Sequence, residues 1–331
     1  MAKTIIKMNK LPRFVSKKIG KLVSLNSLLK LNTPVFQPFY HVVRNEKLPH
    51  ILNYNYRTVS QFEKELNFYL QHFKPVSLNE IISNKFTTEK VFHLSFDDGL
   101  KESAEIIAPI LLKKGIPATF FANPGFVDNK RLFHKYKASL ILTNLKKSSF
   151  SQAEQLLKKH DLENEKILKA TILQENILDE VAVLAGVSFN EFLEKQKPYL
   201  TTQQILDLQN QGFSIGAHST NHPEFWKISE QEQMKEIRES MNWLTETVNP
   251  AIKAFSFPFT DSGVSLKVLK ALQSEEICDV TFGTAGIKYD ELQHHFQRYP
   301  VEQPGDFLEN LKAELVYFAL RKLIGKATVK H

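Results

Sequence analysis

Short apolar runs alternate with segments of helical period along most of the chain. Val91-Phe92-His93-Leu94-Ser95-Phe96 reads as a buried strand that stops at Asp97-Asp98-Gly99. Residues 102–114 follow with helical spacing, Gly115 stops them, and 118–122 form the next apolar run. The rhythm resumes after residue 200. Thr201 or Thr202 caps a helix, Gly212 ends it, and the strand 213–217 runs into His218-Ser219-Thr220-Asn221-His222. Further helices are predicted over 230–247 and 265–274, and further strands over 254–257, 280–283 and 296–301. Such alternation predicts an α/β fold, with a parallel sheet and helices outside it.

Three stretches depart from this rhythm. Residues 128–198 are rich in Lys, Glu, Leu and Ile with few glycines, and their helical spacing at 153–160 and 167–184 predicts an inserted helical subdomain. It either covers a substrate groove or decorates the scaffold. Residues 1–34 carry Leu11, Phe14, Val15, Ile19, Leu22, Leu25 and Leu29 at near-helical spacing among lysines, the pattern of a basic amphipathic helix. Residues 307–331 contain a second amphipathic helix, basic at its end through Arg321, Lys322 and Lys326. The expected organisation is therefore a domain over 35–306 with an insertion, flanked by two basic segments.

Charge sharpens this division. The net charge is +7, and nine Lys and Arg residues, among them Lys3, Lys7 and Lys10, precede the first acidic residue, Glu46. Such a segment either packs on the domain or meets an anionic membrane surface, where each basic residue contributes about 1 kcal/mol. No aromatic-interleaved basic strand points to nucleic acid, and no protein partner is inferred. With 331 residues, 42% of them hydrophobic, the chain can bury a sizeable core. Its single Cys278 excludes an intrachain disulfide, which fits a reducing compartment. The N-terminus offers no signal-peptide-like apolar run, and no stretch approaches the roughly 20 apolar residues of a membrane span. The expectation is a cytoplasmic protein, soluble or held at the inner membrane surface.

The chemistry lies in the two polar clusters that end strands. One carboxylate and two histidines can hold a divalent cation on one side, leaving positions for water and a substrate oxygen. The second carboxylate is then free to act as base. Either half alone has an ordinary explanation, since Asp-Asp-Gly is a common turn and His-x-x-x-His recurs by chance. Their joint placement after strands favours the chemical reading.

These residues resemble a known family. Ser95-Phe96-Asp97-Asp98-Gly99 is similar to the first motif of the polysaccharide deacetylases, and His218-Ser219-Thr220-Asn221-His222 to their second. Tyr40-His41, Gly115-Ile116-Pro117-Ala118-Thr119-Phe120-Phe121 and Gly212-Phe213-Ser214-Ile215-Gly216-Ala217 extend the resemblance over roughly residues 35–305. The resemblance implies a distorted, incomplete (β/α) barrel with its catalytic groups at the carboxyl ends of strands. It implies that Asp98, His218 and His222 bind the metal, zinc first, with cobalt, nickel or manganese also compatible with such ligands. Asp97 would take the proton of the attacking water, and a backbone amide near 122–125 would hold the oxyanion.

Two departures stand out. Phe255-Ser256-Phe257-Pro258-Phe259 occupies the place of the family's third motif, so Pro258 and Phe259 keep a pocket wall but the motif's arginine is missing. Arg298 is the candidate to replace it. The fifth motif's Leu-x-His is also missing. His294 and His295 read as surface-loop residues, which leaves His41 as the candidate general acid. The implied function is removal of an N-acetyl group from an amino sugar of a glycan or lipid-linked precursor. The alternatives are hydrolysis of another amide, such as a formyl group, on a lipid-linked sugar, or a catalytically silent glycan-binding barrel.

Overall fold

The computed structural model describes residues 13–83 and 89–331. Lys3, Lys7, Lys10 and Leu11 lie outside the described residues. Helix α1 spans residues 13–22 and α2 spans Leu25–Leu29, begun by Ser24, whose hydroxyl accepts from the Ser27 amide. Strand β1 (Pro38–Tyr40) leads to α3 (Val59–His72), which starts in a capping box between Thr58 and Gln61. Then come β2 (Lys74–Pro75), α4 (Leu78–Ser83), β3 (Val91–Phe92) and β4 (Leu94–Phe96).

The strand expected over 91–96 is thus two strands. β3 pairs with β2 in a small sheet of its own, whereas β4 joins the main one. The break falls at His93, whose Nδ1 donates to the Val76 carbonyl (2.8 Å) while Nε2 meets Thr119 Oγ1 (2.9 Å), tying the two sheets together. The helix expected over 102–114 is divided as well. Ser103–Ile107 form a π-turn that passes into α5 (Ala108–Lys114). Pro109 explains this, because it has no N–H to donate and its ring clashes with the carbonyl four residues back, which a locally wider turn relieves.

β5 (Ala118–Ala122) is followed, over the stretch expected to be an insertion, by the helices α6 (His134–Leu145), α7 (Ser151–Lys159), α8 (Glu175–Leu184) and α9 (Phe189–Gln196). Their buried residues, including Ile141, Leu157, Leu178 and Val181, form with Ile167 from the turn before α8 a hydrophobic cluster separate from the main core. The barrel rhythm returns with α10 (Thr202–Asn210), β6 (Ser214–Ala217), α11 (Glu230–Thr247), β7 (Ala254–Ser256), α12 (Leu266–Ser274) and β8 (Val280–Gly283). The chain ends with β9 (Tyr289–Asp290), β10 (His295–Gln297), β11 (Tyr299–Pro300), α13 (Phe307–Leu323) and β12 (Thr328–Val329).

The main sheet has the order β10-β8-β7-β6-β5-β4-β1-β11, and each neighbouring pair is parallel. β10 and β11 are successive halves of one extended run that changes partner at Arg298. The Arg298 amide donates to Gly283 on β8, and the Tyr299 amide donates to Gln37 beside β1. The run therefore bridges the two edges of the sheet and makes a nearly closed barrel, the distorted (β/α) barrel expected from the resemblance.

Both ends of the described chain pack on this barrel. Leu28 and Leu29 of α2, with Leu311, Leu315, Val316 and Phe318 of α13, belong to the main core. α1 runs antiparallel to α13, because Arg13 lies 3.7 Å from Glu314 and Lys21 lies 3.7 Å from Glu309. Gly20 permits the approach, since a Cβ there would sit 3.2 Å from the Ala313 backbone nitrogen.

Candidate active site and metal centre

β4 and β6 flank β5 on its two sides and deliver the aspartates and histidines to one end of the barrel. Asp97, Asp98, His218 and His222 are all buried, at 2%, 5%, 1% and 4% exposure. The chain turns sharply at both places, with φ of 71° at Asp98, 61° at Ser219 and 53° at His222. Left-handed backbone is tolerated best by Asp, Asn and His among residues with a side chain. The histidine loop is held from two sides. Asn123 Nδ2 donates to the carbonyls of His218 and Ser219, and Glu236 on α11 accepts from the amides of Thr220 and Asn221 (2.9 and 2.8 Å).

Asp98 Oδ1 lies 3.2 Å from His222 Nε2 and 3.6 Å from His218 Nε2, and the two Nε2 atoms are 3.1 Å apart. These spacings suit three ligands of one ion, since bonds of about 2.0–2.1 Å at tetrahedral angles separate neighbouring donors by about 3.3 Å. The chemistry of the donors agrees. His218 Nδ1 donates to the Ser256 carbonyl (2.8 Å), which leaves the Nε2 lone pair facing the other two donors. Burial pushes His218 down to about 4, so its imidazole is neutral near pH 7. Asp98 Oδ1 is buried without a hydrogen-bond partner. Burial alone would raise its carboxyl, but His222, with His41 and His218, holds it below the usual carboxylate range. A lone acceptor facing two imidazole nitrogens is what a divalent cation requires.

Asp97 is oriented differently. Its two oxygens accept from Arg298 Nη1 and Nη2 at 2.8 and 2.7 Å, and Oδ2 lies 3.8 Å from His218 Nε2. The fully buried guanidinium also donates to Ser95 Oγ and Ser256 Oγ (3.0 and 2.5 Å), and Phe39 lies 4.3 Å away across its face. Burial would raise the Asp97 carboxyl, and Arg298 outweighs that effect and keeps it ionised. Arg298 thus reaches Asp97 from the run that closes the barrel.

His41 stands across the site, its side chain 24% exposed, with Nδ1 2.5 Å from Glu302 Oε2. Glu302 also accepts from the His41 and Val42 amides at 3.1 Å each. Burial would lower the His41 pKa, but Glu302, together with Asp98 and Asp97, raises it to about 9. Pro258 is buried, and Phe259, with φ 57°, packs edge-on to His222 at 4.6 Å between ring centres. The amide of Gly125 donates to Thr220, and Pro124 has no N–H, so two of the four residues expected to offer an oxyanion donor cannot. The surface-loop reading of His294 and His295 is corrected in part. His294 occupies a turn, but His295 is buried on β10, because its neighbours on β8 and β9 and the chain's end cover it.

Sequence reasoning missed Glu302, Tyr54 and Tyr136. The two tyrosine hydroxyls lie 2.7 Å apart and approach Asp98 Oδ2 at 3.4 and 3.3 Å. Tyr136 comes from α6 of the insertion, and Phe133, just before that helix, packs on His222 at 4.5 Å. None of these has a motif signal, because each reaches the site from an element with no fixed spacing to the aspartates.

The fold and the site together define a (β/α)-barrel hydrolase whose working groups gather at the carboxyl ends of its strands. A family model described as polysaccharide deacetylase matches residues 84–277, more than half of the chain. The protein belongs to the polysaccharide deacetylase family, hydrolases of carbon–nitrogen bonds other than peptide bonds. No curated protein sequence matches it. Among solved structures it is similar to IcaB from Ammonifex degensii, with a TM-score of 0.56 at 15% identity over 86% of this chain and 98% of that one. It is also similar to the deacetylase PplD of Streptococcus pyogenes in complex with acetate, with a TM-score of 0.54 at 15% identity over 85% and 97%. A de-N-acetylase from Aggregatibacter actinomycetemcomitans gives 0.52 at 14% identity over 84% and 99%. At these identities the likeness is one of fold.

Proposed function

We propose that the protein is a metal-dependent N-deacetylase acting on an amino sugar of a glycan or lipid-linked glycan precursor. The observation that carries this reading is the placement of Asp97, locked by Arg298, beside the trio Asp98, His218 and His222, whose three facing donor atoms lie 3.1–3.6 Å apart. Those three would hold the ion, zinc first by the N and O donor set. When bound, such an ion makes water more acidic and polarises an acyl oxygen. Asp97 takes the proton of water attacking the acetamide carbon. Arg298 fixes the carboxylate's direction and keeps it ionised. Protonated His41, held by Glu302, gives its proton to the nitrogen as the C–N bond breaks, so acetate and a free amine leave. Phe259 and Pro258 form the wall beside the acyl group. Arg298 and His41 stand in for the two missing motif residues, which favours catalysis over a silent barrel.

The test is acetate release from a panel of N-acetylated sugars by metal-replete protein. Asp97→Asn should retain its metal yet lose about 10²–10⁴-fold in turnover, whereas His222→Ala should lose metal as well. Equal metal loss in both variants would reverse the assignment of the two aspartates. Absence of acetate release from every sugar would remove the activity.

We further propose the division into a barrel over 35–306, an insertion at 128–198 and basic flanks at 1–34 and 307–331, with the flanks facing an anionic membrane on its cytoplasmic side. Phe14, Leu22, Leu323 and Ile324 are exposed at 58%, 88%, 82% and 63% on α1 and at the end of α13. Lys17, Lys18, Lys21, Lys322 and Lys326 are exposed on the same two segments. Among the described residues no helix is long and apolar enough to cross a membrane.

A further inference from the structure

A second group of metal-ligating side chains lies apart from the active site and shares no residue with it. Asp261 follows β7, Asp290 ends β9, His295 opens β10 and His331 follows β12. One ligand atom from each lies within 4.8 Å of all the others. His295 Nε2 is 3.1 Å from Asp261 Oδ2 and 3.9 Å from Asp290 Oδ2. His331 Nε2 is 3.0 Å from Asp290 Oδ2 and 3.2 Å from its Oδ1.

The surroundings hold these groups in place as outer partners hold ligands. The Leu292 amide donates to Asp290 Oδ1 (3.0 Å), and the Thr284 amide and Thr260 hydroxyl meet Asp261 Oδ1 (3.4 Å each), leaving both Oδ2 atoms pointing inward. His295 Nδ1 is engaged by Thr281 Oγ1 at 2.7 Å, which turns Nε2 toward the carboxylates. Room for Asp261 exists because position 283 is glycine. A Cβ there would collide with the Asp261 carboxylate and lie 2.6 Å from Gln297 Oε1.

The amide of Gln297 sits among them. Its Nε2 reaches Asp261 Oδ2 at 2.6 Å, Asp290 Oδ2 at 2.9 Å and His295 Nε2 at 3.3 Å, while Oε1 accepts from the Ala285 amide at 2.7 Å. This amide carries no charge to offset two carboxylates. A divalent cation would supply that charge, and two imidazoles with two carboxylates form a four-ligand set of the kind zinc takes.

We propose that Asp261, Asp290, His295 and His331 form a second zinc-type cation site outside the barrel lumen. The Gln297 amide turns aside when the ion enters. The site ties β12 and β9 to β10 and to the loop after β7. That loop also carries Phe259, so the second ion steadies the wall that packs on His222. Its role is structural, and it stands whether or not the active site binds metal.

The test counts zinc on full-length protein that has been stripped with chelator, reloaded with zinc and dialysed. Wild type should hold two equivalents, Asp290→Asn and His331→Gln one each, and His222→Ala one. Zinc should raise the Tm of His222→Ala but not that of His222→Ala combined with Asp290→Asn. Loss of all zinc in His222→Ala, with Asp290→Asn and His331→Gln unchanged from wild type, would overturn the proposal and leave a hydrogen-bonded knot around Gln297. If the active site binds no metal, wild type should hold one equivalent that survives His222→Ala and disappears in Asp290→Asn.

Discussion

Arg298 shows how much one side chain decides here. It is fully buried and spends its fork on Asp97, so removing it leaves a buried carboxylate without its cation. Arg298→Ala should cost about 3–5 kcal/mol, read by urea denaturation. Arg298→Lys restores the charge but not the two parallel hydrogen bonds. It should recover much of the stability while turnover stays down by about 10²-fold, the scale of a misplaced catalytic group. Turnover equal to wild type in the lysine variant would deny Arg298 its positioning role. Glu302 acts at the same scale through His41, whose pKa it helps raise from 6.5 to about 9. A raised pKa means that the pair's stabilisation is complete below 6.5 and lost as pH rises through about 9. Glu302→Gln should therefore move the alkaline limb of the kcat profile to lower pH, because His41 then loses its proton earlier. An unmoved limb would show that another group is the acid.

At the scale of elements, the insertion is fastened to the histidine loop by buried charge. Glu224, 2% exposed, accepts from His134 Nε2 (3.2 Å) and the Ile172 amide (3.0 Å), and lies 2.8 Å from Lys135 Nζ. Burial would raise the Glu224 carboxyl, but His134 and Lys135 bring it down to about 2. Its stabilising effect is thus present above the ordinary value and lost as pH falls toward about 2. Glu224→Gln keeps the shape and removes the charge. Hydrogen exchange should then quicken in α6 and the turns over 164–174, while the amides of β5 and β6 keep their protection. Because Tyr136 and Phe133 travel with α6, turnover should fall with the loosened helix. Equal exchange in both proteins would mean that the insertion is held by its apolar contacts alone.

The whole molecule presents one further surface, made where α1 lies antiparallel to α13. Arg13 also lies 5.1 Å from the centre of the Tyr317 ring, so part of the basic charge serves packing. Lys21 pairs with Glu309 and Lys322 donates to the Asn32 carbonyl, so in the proposed membrane role the exposed Lys17, Lys18 and Lys326, with the apolar side chains, would meet the anionic surface. Such attraction is screened as the Debye length falls from about 10 Å at 0.1 M to about 3 Å at 1 M salt. In flotation with anionic liposomes, the full chain should bind at low salt, release at high salt and bind less without residues 1–30. A full-length protein that ignores these vesicles at low salt would leave α1 and α13 as scaffold and favour a soluble substrate.

What the residues alone determined is local. The apolar run into Asp97-Asp98, the capped helices before and after His218-His222 and the alternation of period were legible because each depends on neighbours within a few turns. Helix 230–247 and strand 280–283 appear where their spacing places them. The breaks at His93 and before Pro109 were harder to read, because pairing and backbone relief compete there with an unbroken apolar pattern. The distant partners were decided by tertiary structure. Arg298 meets Asp97 from 201 positions away, and Glu302 meets His41 from 261 away. Closure of the sheet makes those meetings, and no spacing rule along the chain encodes them. His295 makes the same point in reverse. A histidine beside another histidine, just before a strand, reads as surface until β9, β12 and the loop after β7 fold over it and bury it.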